Sequence, residues 1–279
     1  QPPLRDATPA ALAERYAAGH AAILAAEQMA TRYGHQGRAA TLRAMADPSR
    51  RFLSFDGRDG GRTVEVFGEL SRAERIAVLV PGSDTNLDKY GLLRGGSIRL
   101  QQELGDRSAV IAWLGYRTPS TVSFQAATSG RADEAASALR AFVRELGGAL
   151  PTARISMLCH SYGSVVCGRA ASGLDVANIV LYGSAGVTVD NAAALHTRAT
   201  VWAGRGSGDW IAAIPHTRLH LPFTTLGFGP DPVSPQFGAR VFAAGDGGHS
   251  DYLKLGSLPL RNIARIVSGQ ASSEVARGA

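Results

Sequence analysis

The chain has 279 residues, of which 45% are hydrophobic and 19% are charged; these values exclude a disordered chain and predict a globular protein with a sizeable core. No apolar run reaches the roughly 18–20 residues that a membrane span needs, so we expect a soluble protein without a membrane span. The 29 Lys and Arg residues outnumber the 23 Asp and Glu residues, but they are scattered and form no basic patch, which argues against a nucleic-acid partner.

Residues 1–61 are predicted to form an N-terminal helical extension packed on the core. Thr8 has the residue type of an N-cap, Pro9 suits the first helical position, and Gly34 provides a stop signal after an alanine-rich segment. A second short helix, "RAATLRAMA", follows before Pro48, and the extension ends in the glycine-rich turn "GRDGGR".

Residues 62–279 are predicted to form one α/β domain, which makes a single structural unit with the extension. Apolar runs alternate with helical segments, a pattern typical of a mostly parallel sheet with helices on both faces. After "RTVEVFGEL", which alternates as an edge strand does, the predicted strands are 75–80, 108–115, 154–159, 177–183, 199–204 and 239–245. The predicted helices include 92–105, 130–148, 162–172 and 257–268. Ligand sites in such sheets lie in the loops beyond the carboxyl ends of the strands.

The stretch "RISMLCHSYGSVVCG" places Ser161 between an apolar strand and a helix of small residues. Its pattern is small-x-Ser-x-Gly, with Cys159 at the first position and Gly163 at the last. Small flanking residues let the strand and the helix approach closely around a strained, exposed nucleophile. We therefore predict that Ser161 is a nucleophile; the alternative is an ordinary serine in a turn.

A serine nucleophile needs a base and an acid that orients the base, in the chain order serine, acid, histidine. His249 lies in a glycine-rich loop after a late apolar strand and before a final helix, so it is the candidate base. Asp209 follows the preceding strand by a short loop and is the candidate acid, with Asp190 as its competitor. The remaining histidines after the serine are assigned to surface or substrate-loop positions: His196, His216 and His220.

An oxyanion hole is predicted from two backbone N–H groups. Tyr162, the residue after the nucleophile, supplies the first. The loop "LVPGSDTNLDKYG" supplies the second at Ser83 or Asp84, and Gly82 allows the backbone to turn there. A plain strand-to-helix turn remains the alternative for that loop.

Together, residues 62–268 resemble the α/β-hydrolase superfamily, and more narrowly an actinobacterial branch catalogued mainly as a domain of unknown function. The narrower resemblance is carried by "VPGSDTNLD", "WLGYRTPS", "CHSYGS", "GSAGV", "GSGDWI", "GPDPVSPQFGARVF" and "GHSDYL". The resemblance implies an α/β-hydrolase fold and a serine hydrolase whose triad maps onto Ser161, Asp209 and His249. Cys159 departs from the glycine that is commoner in the superfamily, and the branch supplies no substrate.

The function predicted from these features is carboxylic ester hydrolysis through an acyl-enzyme, without a metal or an organic cofactor. No cluster has zinc-ligand spacing, and no glycine-rich phosphate loop follows a strand in the required form. Two alternatives stay open: a serine peptidase or acyltransferase with the same triad, and a non-catalytic binding module on the same fold.

The expected partner is a small-molecule ester with an apolar group. The irregular segment "IPHTRLHLPFTTLGFGPDPVSPQFG" contains Phe223 and is rich in Pro, Phe and Leu, so it could form an apolar wall or simply a packed surface loop. Tyr116 and Trp210 are the other candidate substrate-binding residues. The short connection between the sixth and seventh strands predicts no large lid there.

The two cysteines, Cys159 and Cys167, lie on either side of the predicted nucleophile turn. A strand end and a helix that packs back over it can bring two Cβ atoms within disulfide distance, so we predict a disulfide; two buried thiols in contact are the alternative. Such a disulfide, together with a start at Gln1 that would suit a mature protein, favours a secreted protein over a cytoplasmic one.

Overall fold

An eight-stranded sheet is the centre of the fold. The computed structural model describes residues 2–120, 129–214, 219–221, 224–226 and 228–270. The sheet contains β1 (Arg51–Asp56), β2 (Arg62–Phe67), β3 (Arg75–Val80), β4 (Ser108–Leu114), β5 (Arg154–His160), β6 (Asn178–Tyr182), β7 (Thr200–Gly204) and β10 (Arg240–Val241). Two further strands, β8 (Leu219–Leu221) and β9 (Thr224–Leu226), pair with each other antiparallel.

The strand order in the sheet is β1-β2-β4-β3-β5-β6-β7-β10. Strand β2 runs antiparallel to both of its neighbours, β1 and β4. Every pairing from β4 to β10 across the rest of the sheet is parallel. The carboxyl ends of β3, β5, β6 and β7 therefore meet at one edge, where the topology predicts a ligand site.

Helices cover both faces of the sheet. Successive residues of the central strands point to opposite sides, so each face carries apolar side chains that a helix can bury. In β3, Val78 belongs to the apolar cluster under α4 (Ser129–Ala149) and α5 (Gly163–Ala170), whereas Leu79 belongs to the cluster under α3 (Gly91–Leu104) and α6 (Leu258–Ser268). Burial on both faces explains why these strands are continuous apolar runs in the sequence. The predicted α/β-hydrolase architecture is confirmed.

The N-terminal helices, α1 (Pro9–Arg32) and α2 (Gln36–Met45), are present as predicted, and the Thr8 hydroxyl caps α1 by accepting from the Ala11 N–H. The segment 1–61, predicted as a helical extension, also contains β1, which belongs to the main sheet. Its backbone hydrogen bonds come from β2, a partner that the local sequence pattern does not reveal. Likewise, the strand predicted over 239–245 is reduced to two residues in β10.

Helix α2 and the turn between β1 and β2 support the loop that follows β3. Arg38 of α2 forms an ion pair with Asp88 at 2.8 Å, and the Leu87 N–H donates to the Gly60 carbonyl at 3.1 Å. Both contacts hold the far end of the loop that approaches Ser161. Within the described ranges, no helix is long and apolar enough to cross a membrane.

Candidate active site

Ser161 lies on a tight turn between β5 and α5. Its φ is +54°, a left-handed conformation that costs free energy for a residue other than glycine and is typical of functional turns. Gly163 makes the turn possible, because a Cβ atom at that position would lie 2.4 Å from the Val80 carbonyl oxygen. The serine is therefore fixed at the carboxyl edge of the sheet, where the ends of β3, β5 and β6 meet.

Ser161, His249 and Asp209 form a continuous hydrogen-bonded chain. Nε2 of His249 lies 2.9 Å from Oγ of Ser161, and Nδ1 lies 2.8 Å from Oδ1 and 3.1 Å from Oδ2 of Asp209. Asp209 sits in the loop after β7, and His249 sits in the loop between β10 and α6. The competing residues Asp190 and His196 are exposed, and neither takes a place in this chain.

Three donors converge on Asp209, which is 3% exposed. Besides His249, Oδ1 accepts from the Ile211 N–H at 2.9 Å and Oδ2 accepts from the Tyr252 hydroxyl at 2.5 Å. Burial alone would raise the pKa of Asp209, but the hydrogen bonds from His249, Tyr252 and Ile211 outweigh it and lower the pKa. The carboxylate therefore stays ionised at neutral pH. An ionised Asp209 keeps the proton on Nδ1 and leaves Nε2 to accept from the serine.

Tyr252 is a site residue that the sequence did not indicate. Its hydroxyl donates to Asp209 and accepts from the Gly206 N–H at 3.1 Å, so it ties the loop after β7 to the loop that carries His249. Burial and the hydrogen bond to the carboxylate both raise the pKa of Tyr252, which keeps its hydroxyl protonated. The only sequence signal was its place three residues after His249.

His160 also contacts the base directly. Its ring lies 4.7 Å from the His249 ring and 5.1 Å from the Tyr182 ring, between centroids, and its Nε2 lies 2.7 Å from the backbone carbonyl oxygen of His249. Burial, reinforced by the neighbouring His249, lowers the pKa of His160 to about 4. The ring is therefore neutral at neutral pH, and its Nε2–H can donate to that carbonyl. Sequence reasoning treated this residue only as a variable position in the turn.

The loop after β3 runs directly past the serine. A Cβ atom on Gly82 would lie 2.6 Å from the Cβ of Ser161, which shows how closely the two segments approach. Of the two residues predicted to donate from this loop, Asp84 uses its N–H for the Pro119 carbonyl at 2.9 Å. Ser83 precedes it, and its hydroxyl oxygen is buried without a hydrogen-bond partner among the described residues. A buried polar atom of this kind, next to a nucleophile, is suited to a ligand.

The three predicted substrate-binding residues have different outcomes. Trp210 is 47% exposed and its ring lies 4.6 Å from the His249 ring, so it borders the site. Tyr116 is only 4% exposed, its hydroxyl donates to the Pro81 carbonyl at 2.6 Å, and its ring stacks on Trp113. It is therefore a core residue that supports the loop after β3, and its predicted substrate contact is corrected here. Phe223 lies outside the described residues.

Two further histidines follow Ser161 but are not part of the predicted triad. His216 also lies outside the described residues, and His220 belongs to β8.

Tyr162, whose backbone N–H is predicted to donate to the oxyanion, precedes α5, and its ring packs edge-on against Phe228. In the part of the chain that the structure describes, no group of three or more His, Cys, Asp or Glu side chains could hold a metal ion.

Cys159 and Cys167 form a disulfide. Both residues are fully buried, and the bond joins the end of β5 to α5 on either side of Ser161. The turn that carries the serine is therefore closed by a covalent bond as well as by backbone packing.

A mostly parallel sheet with an antiparallel second strand, and a serine on a strained turn after a central strand, define an α/β-hydrolase fold. A sequence-family model described as alpha/beta hydrolase matches residues 56–219, which is more than half of the chain. The chain belongs to this alpha/beta hydrolase family, and the sequence resemblance is confirmed at that level.

Two mycobacterial proteins that match the chain are described as uncharacterized. Protein Rv2079 of Mycobacterium tuberculosis is 28% identical over 264 residues, which cover 81% of this chain and 39% of that protein. Protein Mb0988c of Mycobacterium bovis is 30% identical over 179 residues, which cover 56% of this chain and 67% of that protein. The match with the first relative thus spans about two fifths of that protein's length.

Among solved structures, similarity extends to XC6422 of Xanthomonas campestris, described as an α/β serine hydrolase without lid. It has a TM-score of 0.49 and 18% identity, covering 80% of this chain and 95% of that one. Esterase PE8 has a TM-score of 0.47 and 13% identity, covering 74% of this chain and 97% of that one.

Proposed function

We propose that this protein is a serine hydrolase that cleaves carboxylic esters through a covalent acyl-enzyme. The observation that carries the proposal is the hydrogen-bonded chain from Ser161 through His249 to Asp209. A serine hydroxyl is a weak nucleophile at its ordinary pKa, and an adjacent oriented imidazole is what activates it.

In the first half of the reaction, Oγ of Ser161 attacks the ester carbonyl carbon while Nε2 of His249 takes the hydroxyl proton. The ionised carboxylate of Asp209 holds Nδ1–H and stabilises the imidazolium that forms. In the second half, Nε2 gives the proton to the leaving alcohol oxygen as the C–O bond breaks. A water molecule, deprotonated by the same nitrogen, then attacks the acyl carbon, and Nε2 returns that proton to Oγ of Ser161 as the bond between Oγ and the acyl carbon breaks and the carboxylic acid leaves.

The carbonyl oxygen becomes an oxyanion in the tetrahedral intermediates. We assign its donors to the backbone N–H groups of Tyr162 and Ser83, with the Ser83 hydroxyl as a third donor. This assignment is supported by the close approach of the loop after β3 to Ser161 and by the unpartnered state of that buried hydroxyl. Removing one such donor typically lowers kcat by about 10²–10³-fold.

The substrate is proposed to be a small ester with an apolar group. Trp210, half-exposed against the His249 ring, offers an apolar surface next to the reacting atoms. The disulfide favours an oxidising compartment, so we place the protein outside the cytoplasm. Recovery of the alkylation-resistant, disulfide-bonded form from the culture medium of the source cells would support that location, and recovery of a fully reduced cytoplasmic form would contradict it.

A fluorophosphonate probe tests the catalytic proposal, because it reacts with activated serines. The wild type is expected to be labelled, and Ser161→Ala is expected to lose the label. Ser164→Ala is the matched control, since Ser164 is a buried serine three residues away in the same turn region, and it is expected to keep the label. An unlabelled wild type would favour a binding module without catalysis.

A second comparison separates the reaction classes. Matched ester and anilide substrates with the same acyl group are offered to the untreated wild type, which has not been exposed to the probe, with and without an added alcohol as acyl acceptor. The proposal predicts hydrolysis of the ester and little cleavage of the anilide. Preferred anilide cleavage would indicate a peptidase, and preferred transfer to the alcohol would indicate an acyltransferase.

A further inference from the structure

A small cavity of about 50 Å³ lies beside the His249 ring. Its walls come from the loop after β3, the first turn of α3 and the loop that carries His249. Leu92, which is 54% exposed, lies at its mouth, whereas Leu79 and Tyr182, at 1% and 5% exposed, close its inner end. The cavity is therefore a short recess that runs from an exposed end to a buried end, with His249 in its wall.

The position of the recess favours the alcohol half of an ester over the acyl half. In the proposed mechanism, the leaving alcohol oxygen must come within about 3 Å of Nε2 of His249 to receive its proton. The carbon chain attached to that oxygen must then run along a surface beside the His249 ring. The recess is such a surface, and Ser161, which holds the acyl carbon, is not part of its wall. Trp210 contacts the same ring but lies outside the recess, which leaves the Trp210 side for the acyl group.

The wall of the recess is mainly apolar. Leu92, Leu93, Leu253 and Pro81 supply aliphatic surface, and the polar residues of the wall are Thr85, Ser250, Tyr182, Tyr252, His160 and His249. No Asp, Glu, Lys or Arg is among the described residues that line it. A charged group placed there would lose hydration and find none of these four residue types to pair with, so the wall disfavours phosphate, carboxylate and ammonium groups.

The size of the recess limits the length of its occupant. A water molecule needs about 10–15 Å³ of such space, so about 50 Å³ corresponds to about three or four non-hydrogen atoms. Beyond that length, an alkyl chain must leave the recess through its mouth beside Leu92 or push the wall apart.

We infer that this recess binds the alcohol half of the substrate and restricts it to short, uncharged alkyl alcohols of about three or four carbon atoms or fewer. This inference rests on the proposed ester hydrolysis. It assigns chain-length selection to the alcohol half, because the acyl half lies on the other side of the reacting carbonyl.

Two ester series test the assignment. Acetate esters of methanol through 1-hexanol vary only the alcohol, and ethyl esters of acetic through hexanoic acid vary only the acyl group; acid release is followed by titration. We expect kcat/KM to be similar for the short alcohols and to fall by about tenfold for each methylene beyond the limit. We call the chain length at which kcat/KM begins to fall the step, and no step at the same chain length is expected in the acyl series.

Variants of the wall should move the step in opposite directions. Leu93→Ala enlarges the recess and should shift the step to longer alcohols, whereas Leu92→Trp narrows the mouth and should shift it to shorter ones. Leu100→Ala, a buried leucine of α3 outside the wall, and Leu255→Trp, an exposed leucine near the His249 loop, are the matched controls and should leave the step in place. If Leu93→Ala fails to fold, Leu92→Trp against Leu255→Trp still decides.

The outcomes separate this inference from the proposed function. If the wild type is labelled by the fluorophosphonate and cleaves esters, but the alcohol series shows no step, the inference is wrong and the proposed function stands. It is equally wrong if the wall variants shift the acyl series instead. If the wild type neither reacts with the probe nor cleaves any ester, the proposed function fails first and the inference fails with it.

Discussion

Tyr252→Phe is the most informative single substitution outside the three residues of the hydrogen-bonded chain. It removes one oxygen atom and keeps the ring, which packs against Tyr182 and His160. The lost hydroxyl is the donor to Oδ2 of Asp209 and the acceptor of the Gly206 N–H. Because Tyr252 and Asp209 are each 3% exposed, water does not readily replace the missing atom.

The expected loss follows from the two partners left behind. A buried donor or acceptor that loses its partner costs about 1–3 kcal/mol, and hydrogen bonds to charged groups are at the upper end of that range. The free energy of unfolding should therefore fall by about 2–4 kcal/mol at neutral pH. The folded-state pKa of Asp209 is lowered partly by Tyr252, so this part of the stability is present above the unfolded pKa of about 3.9 and is lost as the pH falls through the lower folded pKa. The difference between variant and wild type should shrink in acid.

Urea unfolding at neutral pH and at acidic pH measures this difference. Tyr33→Phe is the control, because Tyr33 is 68% exposed and its hydroxyl can bond to water; its unfolding midpoint should not change. A variant as stable as the wild type at both pH values would refute the role given to this hydroxyl.

Three further outcomes are expected from the same assays. Ser83→Ala keeps the backbone N–H but removes a hydroxyl that has no partner among the described residues, so kcat should fall by about 10²–10³-fold while the free energy of unfolding stays the same or rises; a parallel loss of stability would instead indicate a structural role. Replacing both Cys159 and Cys167 by Ala opens a loop with a sequence separation of 8 and should lower the free energy of unfolding by about 2–3 kcal/mol, whereas an unchanged urea midpoint would contradict the bracing of the turn. Burial lowers the pKa of His160 to about 4, so as the pH falls below about 6.5 the unfolded protein binds a proton at this residue before the folded protein does. The free energy of unfolding of the wild type should therefore decline from about pH 6.5 toward pH 4. His160→Asn should flatten this decline in urea titrations, and an unchanged decline would show that other groups cause it.

The parallel strands were predictable because their sequence pattern follows from their environment. Strands β3 to β7 are buried on both faces, so each is an unbroken apolar run flanked by turn residues. Strand β1 was missed because its pairing with β2 depends on a neighbour across a glycine-rich turn and not on its own short sequence. In β10, only two residues pair with β7, so most of the strand predicted over 239–245 is irregular chain that leads into the His249 loop.

The candidate site likewise contains residues that the sequence could predict and residues that it could not. Ser161, Asp209 and His249 each follow a strand, so their place at one edge of the sheet was predictable from chain order and topology. Tyr252 and His160 act through contacts between different loops, and nothing in their local sequence indicates such contacts. Tyr116 was predicted to bind substrate, but its hydroxyl donates to the Pro81 carbonyl and its side chain is buried.

The proposed ester hydrolysis requires that Ser161 becomes acylated during turnover. The most direct measurement is rapid acid quenching of the enzyme during turnover of an activated acetate ester, followed by mass spectrometry of its peptides. We expect one acetyl group on the peptide that contains Ser161, located on that serine and absent from Ser161→Ala. An acetyl group on another residue, or full ester turnover by Ser161→Ala, would contradict the account.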